Sequence, residues 1–286
     1  MHPDDQRHNI TVPFILSILN ESEEDLRAQG IDAGNLLAIY NDYISRRSEL
    51  EDIAIFISNT LKRHKAVYGV QHRVKEPLHL LKKIIRKKQE YPDRNLNAEN
   101  YLDYINDLAG VRILHLYKED WHDIGNYIQQ IWELKREPYI YIKSEGTLLT
   151  NQFTSSAYKV IPNDRGYNAQ HYIAKVKACR QQYFVEIQVK TLFEEGWSEI
   201  DHCVRYPDHE PNELLHRLLG LLNKFTASAD AVASQIQALS GELHKYKSDA
   251  KPKVTTAQLR SHINKLPVDE QEKQYLYACL DKLTSH

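Results

Sequence analysis

Cysteine is scarce and scattered. The chain has three, Cys179, Cys203 and Cys279, with no CxxC pair and no zinc-finger spacing. That excludes a disulfide scaffold, and reduced thiols in a cytoplasmic setting are expected. No apolar run approaches the roughly 18 residues that a membrane-spanning helix needs, so no membrane partner is expected. The opening MHPDDQRHNI is polar and acidic rather than basic-then-apolar, so no secretory leader is read there. The 14 histidines include no HExxH pair, which removes that zinc-hydrolase signature. There is no internal repeat and no low-complexity tract. The formal net charge is only −2, so no global basic field gathers nucleic acid.

What is present fits one core of ordinary size with a small appendage. The chain has 286 residues, 42% hydrophobic and 27% charged, the balance of a globular rather than a disordered protein. Tyrosine is abundant, 18 against 6 Phe, and supplies rings with polar tips. The near-neutral total hides a local asymmetry. Between Lys62 and Lys88 lie ten Lys or Arg and a single acid, Glu76, a net of +9. Such a run reads either as a solvated helix face or as a place for an anion: a polyphosphate, a nucleic-acid backbone or an acidic partner.

Apolar residues at 36, 39, 43, 50, 53, 57 and 61 predict a helix, and Lys82–Lys88 continues as another until Tyr91-Pro92-Asp93 breaks it. Strand character follows in Gly110–Leu116, Pro138–Lys143, His171–Lys177 and Tyr183–Lys190, with a helix over Trp121–Leu134 between the first two. Residues 146–166 read as a polar loop. From Pro211 a long helix is predicted, with an apolar seam at 214, 218, 221, 225, 229, 232, 236, 239 and 243 that is expected to pack on the sheet or on another helix. Residues 246–254 read as a linker and 268–283 as a last helix. The fold class is therefore α+β, a mixed sheet flanked by helices at both ends of the chain. The expected division is an N-terminal helical extension (1–35), a main domain (36–245) and a C-terminal helical appendage (246–286).

Alternation along Tyr183–Lys190 puts Glu186, Gln188 and Lys190 on one face, an acid, an amide and a cation in a row. That pattern also suits a half-exposed strand with a solvated face. Asp107 precedes the strand bearing Arg112. A carboxylate there either holds a hard cation such as Mg²⁺ or caps a turn and pairs with Arg112. If Glu186 lies on a neighbouring strand, the two acids suit phosphoryl chemistry, in which a metal neutralises charge and a carboxylate orients a hydroxyl. Gly166-Tyr167 is either an ordinary turn or a place where backbone approaches a ligand and a ring stacks on a base.

Together these segments resemble the synthetase region of RelA/SpoT-type alarmone synthetases. Arg73-Val-Lys75, followed by Lys83, resembles the ATP-binding motif of that family. Asp107-Leu-Ala-Gly110-Val-Arg112 resembles DxxGxR, and Pro162-Asn-Asp-Arg165-Gly166-Tyr167-Asn-Ala-Gln-His171 resembles PKxxGYxSxH. Val185-Glu186-Ile-Gln188-Val-Lys190-Thr191 resembles VEIQxRT, and Trp197 to His202 resembles the helix that follows it. The order is the family's, over about residues 36–245. The resemblance implies a nucleotidyltransferase-like core that moves the β,γ-pyrophosphate of ATP onto the 3′-hydroxyl of GDP or GTP with Mg²⁺. It implies that Arg73 and Arg112 sandwich adenine, Lys75 and Lys83 bind phosphates, and Asp107 holds the metal. Glu186 would align and activate the 3′-hydroxyl and touch the metal. Tyr167 would stack on the acceptor base, with Gln188, Lys190 and His171 holding acceptor or pyrophosphate. Asp201 and His202 match as well and are given a structural role.

The chain departs from the family pattern at Asn163 in place of lysine, at Ala169 in place of serine, at His79 in the first motif and at Lys190 in place of arginine. Arg165 is a candidate replacement for the lost loop charge. Apart from His79 these changes fall on the acceptor half, so two further readings stand beside the guanine-nucleotide one. In the first, a toxin-like relative uses adenine nucleotides or the 3′ end of tRNA and answers to an antitoxin. In the second, the chain is a nucleotide-binding module without turnover. A homo-oligomer is compatible with the long seam. No alarmone hydrolase activity is expected, because His122-Asp123 lies inside the synthetase region and does not replace a hydrolase domain.

Overall fold

The computed structural model describes residues 10–143, 158–163, 166, 168–178, 180–205, 213–248 and 255–284. Tyr167 and Arg165 lie outside the described residues.

Three N-terminal helices come first: α1 (Val12–Leu19), α2 (Glu23–Ala28) and α3 (Ala33–Leu61). Local chemistry starts two of them. The side chains of Ser22 and Asp32 accept hydrogen bonds from the backbone N–H of Asp25 and Asn35, satisfying donors that a helix start leaves open. The chain continues with β1 (Gly69–Val74), α4 (Pro77–Glu90), a single turn α5 (Tyr101–Tyr104), β2 (Ala109–His115) and α6 (Trp121–Ile131). Strands β3 (Tyr139–Lys143), β4 (Lys159–Asn163), β5 (Ala169–Ala178) and β6 (Gln181–Thr191) follow. Helices α7 (Leu192–Arg205), α8 (Glu213–Ser248), α9 (Thr256–Asn264) and α10 (Glu270–Thr284) complete the described chain.

The six strands form one mixed sheet in the order β1-β2-β6-β5-β3-β4. The β2–β6 and β3–β4 pairs are parallel and the other three are antiparallel. The α+β expectation holds, a mixed sheet between helices. One face of the sheet is apolar. Val111 and Ile113 of β2 and Val185, Ile187 and Val189 of β6 are buried there, in one cluster with Leu36, Ile39, Tyr43, Leu50, Ile53, Ile57 and Leu61 of α3. Each such side chain contributes roughly 1.5–3 kcal/mol by leaving water. Ile15, Leu19, Leu26 and Ile31 from the first two helices join the same cluster, whereas Leu259, Ile263 and Leu280 form a separate one against Leu239 and Leu243.

Several sequence expectations need correction. The polar loop assigned to 146–166 contains β4, whose parallel pairing with β3 (Tyr139 opposite Lys159) supplies backbone partners that composition does not announce. Residues 69–74, read only as part of a basic run, form the edge strand β1. Residues 246–248, assigned to the linker, continue α8, and α9 was not anticipated. The seam of α8 packs on the last two helices at Leu239 and Leu243 as expected, but its earlier part needs the largest correction. Leu214, Leu218, Leu221, Phe225 and Ile236 are 47–65% exposed, while Leu219, Asn223, Asp230 and Ser234 are buried. Periodicity located the helix, but polar contacts to the sheet and its loops chose the buried face.

Candidate active site

The opposite face of the sheet is polar. Pairing across β1, β2, β6, β5 and β3 puts Gln71, Arg112, Gln188, His171 and Tyr139 in one row, and Arg73, Gly110 and Glu186 in the row beside it. Side chains of directly paired residues project to the same side. The six strand residues singled out from sequence and described here, Arg73, Arg112, Glu186, Gln188, Lys190 and His171, therefore share one face. Gly110 lies between Arg73 and Glu186. A side chain there would meet Arg73 Nε at 3.6 Å and the Glu186 carbonyl at 3.9 Å. Its absence opens the floor of a cavity of about 240 Å³ bounded by Gln71, Arg73, Arg112, Glu186, Gln188 and Glu199.

Asp107 stands at the mouth of β2. Its Oδ2 lies 2.9 Å from Lys75 Nζ and its Oδ1 2.7 Å from Lys83 Nζ, and the three side chains are only 14–20% exposed. The lysines arrive from different elements. Lys75 follows β1 and is pinned at both ends of its peptide: its N–H donates to the Leu108 carbonyl at 2.8 Å, and its carbonyl accepts from the Tyr43 hydroxyl of α3. Lys83 comes from α4, which starts at Pro77 and buries Leu80, Leu81, Ile84 and Ile85. The alternative pairing of Asp107 with Arg112 is not made. Arg112 Nη1 instead donates to Glu195 and Glu199, both on α7.

Glu186 is held by its neighbours. His171 Nδ1 lies 3.2 Å from Oε1, and Gln188 Nε2 donates to Oε2 at 2.9 Å. Burial pushes this carboxyl upward. The hydrogen bond and charge of His171, the Gln188 amide and the charge of Lys83 outweigh it and bring the carboxyl down to about 2. The acid is ionised at neutral pH, and Lys83 acts on both Asp107 and Glu186. Lys190 is 5% exposed. Burial pulls its ammonium down against the charge of Glu195, whose Oε2 is 3.5 Å away, and it donates to Ser198 Oγ at 3.0 Å.

Four functional residues were missed from sequence. Asn223 of α8 donates from Nδ2 to the Gly166 carbonyl at 2.9 Å, and Gly166 has φ +86°, a conformation that glycine adopts without strain. On the other side of the loop, the backbone N–H of Asn168 donates to Glu194 Oε1 at 2.8 Å. Asn223 and Glu194 thus hold the residues flanking Tyr167. Glu195 and Glu199 hold Arg112. Only Glu194 left a readable signal: Thr191-Leu-Phe-Glu194 has the spacing of a helix capping box, and the Glu194 N–H donates to Thr191 Oγ1 at 3.0 Å.

Carboxylates set among lysines and arginines at one open sheet face have the chemistry of a phosphate-handling site. Residues 72–211 match the family described as "Region found in RelA / SpoT proteins". The chain is similar to that family over this region, which is a little under half of its length. The GTP pyrophosphokinase YwaC of Bacillus subtilis (strain 168) is 23% identical over 187 residues, which cover 64% of this chain and 79% of that protein. Among solved structures, smu.1046c from Streptococcus mutans UA159 is 24% identical at a TM-score of 0.47, covering 71% of this chain and 96% of that one. The small alarmone synthetase 1 of Bacillus subtilis bound to its product pppGpp is 17% identical at a TM-score of 0.47, covering 71% and 94%.

Proposed function

We propose that this protein transfers the β,γ-pyrophosphate of ATP to the ribose 3′-hydroxyl of GDP or GTP, releasing AMP and forming (p)ppGpp. The observation that carries the reading is the pairing of Asp107 with Lys75 and Lys83, with the charge of Lys83 acting also on the ionised Glu186. Pure nucleotide binding needs the cations, not two carboxylates whose charge a phosphate would oppose. That weighs against a non-catalytic module.

In this reading Lys75 and Lys83 take the ATP phosphates, and Arg73 and Arg112 flank the adenine beside the cavity at Gly110. Glu186 accepts a hydrogen bond from the 3′-hydroxyl and aims its oxygen at the β-phosphorus. A carboxylate near pKa 2 is a weak base. Its work is orientation and electrostatic restraint, which suffices where the transition state is loose and bond formation to the nucleophile is late. His171 and Gln188 keep its two oxygens in place. Tyr167 stacks on the acceptor base, with Lys190 and Arg165 on the acceptor phosphates.

Asp107 and Glu186 suit Mg²⁺, since both offer the hard oxygen donors that it prefers. Asp107 Oδ1 is buried and receives no aligned hydrogen bond, although Lys83 Nζ lies 2.7 Å away, so the oxygen has capacity for a cation. When bound, the ion would neutralise charge on the transferring phosphates.

The working division is a synthetase domain over 36–245, with 1–35 as an extension and 246–286 as an appendage, in a cytoplasmic protein. A second acceptor, an adenine nucleotide or the tRNA 3′ end, is favoured by Asn163 standing where the family has lysine. That toxin-like form would have an antitoxin as partner.

One experiment separates these readings. ATP labelled in its β,γ-phosphates is incubated with Mg²⁺ and, in separate tubes, GDP, GTP, ADP, ATP or tRNA, beside the Asp107→Asn protein. Label reaching GDP or GTP only with the unmutated chain supports the proposal. Label reaching adenine nucleotides or tRNA keeps the reaction and replaces the acceptor. Transfer to none of them removes the enzyme reading.

A further inference from the structure

A second cavity, of about 580 Å³, opens behind the catalytic face. Its floor is apolar: Ile140 and Ile142 of β3, Val189 of β6 and the Trp121 ring at the start of α6. Ile140, Gln170 and Val189 pair across β3, β5 and β6, in the register that alternates with the His171–Gln188 row. They therefore project to the side away from Glu186 and Gln188. The polar wall comes from α8. Asp230 is 1% exposed and Ser234, one turn further on, is 7% exposed. Asp230 Oδ2 accepts from Thr191 Oγ1 at 3.0 Å, but its Oδ1 has no hydrogen-bond partner, and neither does Ser234 Oγ. The Gln170 Oε1 across the cavity is also unsatisfied. Each such buried polar atom costs about 1–3 kcal/mol unless something fills it. Three of them around one apolar floor describe a ligand that brings N–H or O–H donors on a flat apolar body.

Charge narrows the class. The acids Glu119, Glu194 and Asp230 line the cavity against the cations Lys118 and Lys190. Lys190 is directed to the face of Gln188, where it meets Ser198 and Glu195, and Lys118 Nζ sits 3.9 Å from Asp230. The flanking His115 and His122 are held toward neutrality by burial. No free positive charge remains among these groups for a phosphate. We propose that this cavity is a binding site for an unphosphorylated nucleoside, its ring on the Trp121–Ile140–Ile142 floor and its hydroxyl and amino donors on Asp230, Ser234 and Gln170. The volume is in the range of cavities that enclose ligands of this size. The site borders Lys190 and Asn168 on the proposed acceptor side and is tested without turnover.

The test is calorimetric titration of the full chain with adenosine and with guanosine, alone and with the catalytic face saturated by GDP and a non-hydrolysable ATP analogue. Binding of either nucleoside is expected to survive that saturation. It is expected to vanish in Ala231→Trp, which fills the cavity from α8, and to weaken about tenfold in Ser234→Ala, a smaller change that leaves packing intact. Failure of both nucleosides to bind overturns the proposal. So does displacement by GDP, which would make the cavity part of the acceptor site, and so does binding indifferent to both substitutions.

Discussion

Asp107 is bridged by two lysines from different elements, Lys75 at 2.9 Å and Lys83 at 2.7 Å, and this contact ties the start of β2 to β1 and α4. The pairs are largely shielded from solvent, so removing the shared carboxylate leaves two ammonium groups without their partner. Asp107→Asn keeps the shape and removes the charge. Turnover is expected to fall by about a hundredfold or more, while thermal melting shows a folded protein of somewhat lower stability. Wild-type turnover in Asp107→Asn would remove this residue from the site.

Arg112 is the contested cation. It is held by Glu195 and by Glu199, and the Glu199 side chain is 52% exposed. If Arg112 flanks the adenine, Glu199 competes with ATP for it. An exposed pair of this kind is worth about 0.5 kcal/mol after solvent screening. Glu199→Gln is therefore expected to lower the KM for ATP about twofold and to leave the acceptor KM unchanged. Steady-state kinetics with each substrate varied in turn checks this.

Asn223 holds the loop at Gly166, proposed above to bind the acceptor, through its 2.9 Å hydrogen bond to the Gly166 carbonyl. Asn223→Ala removes the donor to the Gly166 carbonyl, at a cost of about 1 kcal/mol. The acceptor KM is expected to rise roughly fivefold with little change in the KM for ATP. Gly166→Ala acts on the same loop through its backbone, because φ +86° disfavours any side chain by about 1–2 kcal/mol. An effect confined to the ATP KM in either variant would contradict a role in holding the acceptor.

Glu194 and Asp230 give the stability a pH dependence. Burial raises the Glu194 carboxyl to about 7 and the Asp230 carboxyl to about 6. Because these pKa values exceed their unfolded ones, the folded state binds protons more readily. The contribution is fully present below the unfolded values near 4 and is lost as pH rises through 6 and 7. Glu186 has the opposite sign, and its contribution is lost only as pH falls from about 4.5 toward 2. The melting temperature should therefore fall between about pH 4 and 7 and level off above that, and Glu194→Gln should flatten that slope. A slope unchanged in Glu194→Gln would assign it to other groups.

Much of the polar sheet face was legible in the sequence. Alternation along residues 183–190 separates Val185, Ile187 and Val189 from Glu186, Gln188 and Lys190, because side-chain direction in a strand has a period of two and is a local property. The helix over 33–61 was readable for the same reason: apolar spacing of three and four is local geometry. Charge counting located the basic run from which Lys75 and Lys83 come. What tertiary structure alone decided is which charges meet. That Asp107 pairs with Lys75 and Lys83 and not with Arg112 follows from where α4 and β1 pack. Glu195 and Glu199 reach Arg112 across more than eighty residues of chain, a separation that carries no periodic signal. The buried face of α8 was chosen the same way. Its apolar stripe pointed one way, but Asn223 and Asp230 found hydrogen-bond partners on the Gly166 loop and Thr191. A buried polar group must be satisfied wherever the fold puts its partner, so that choice is made by contacts between elements and not by the pattern within one.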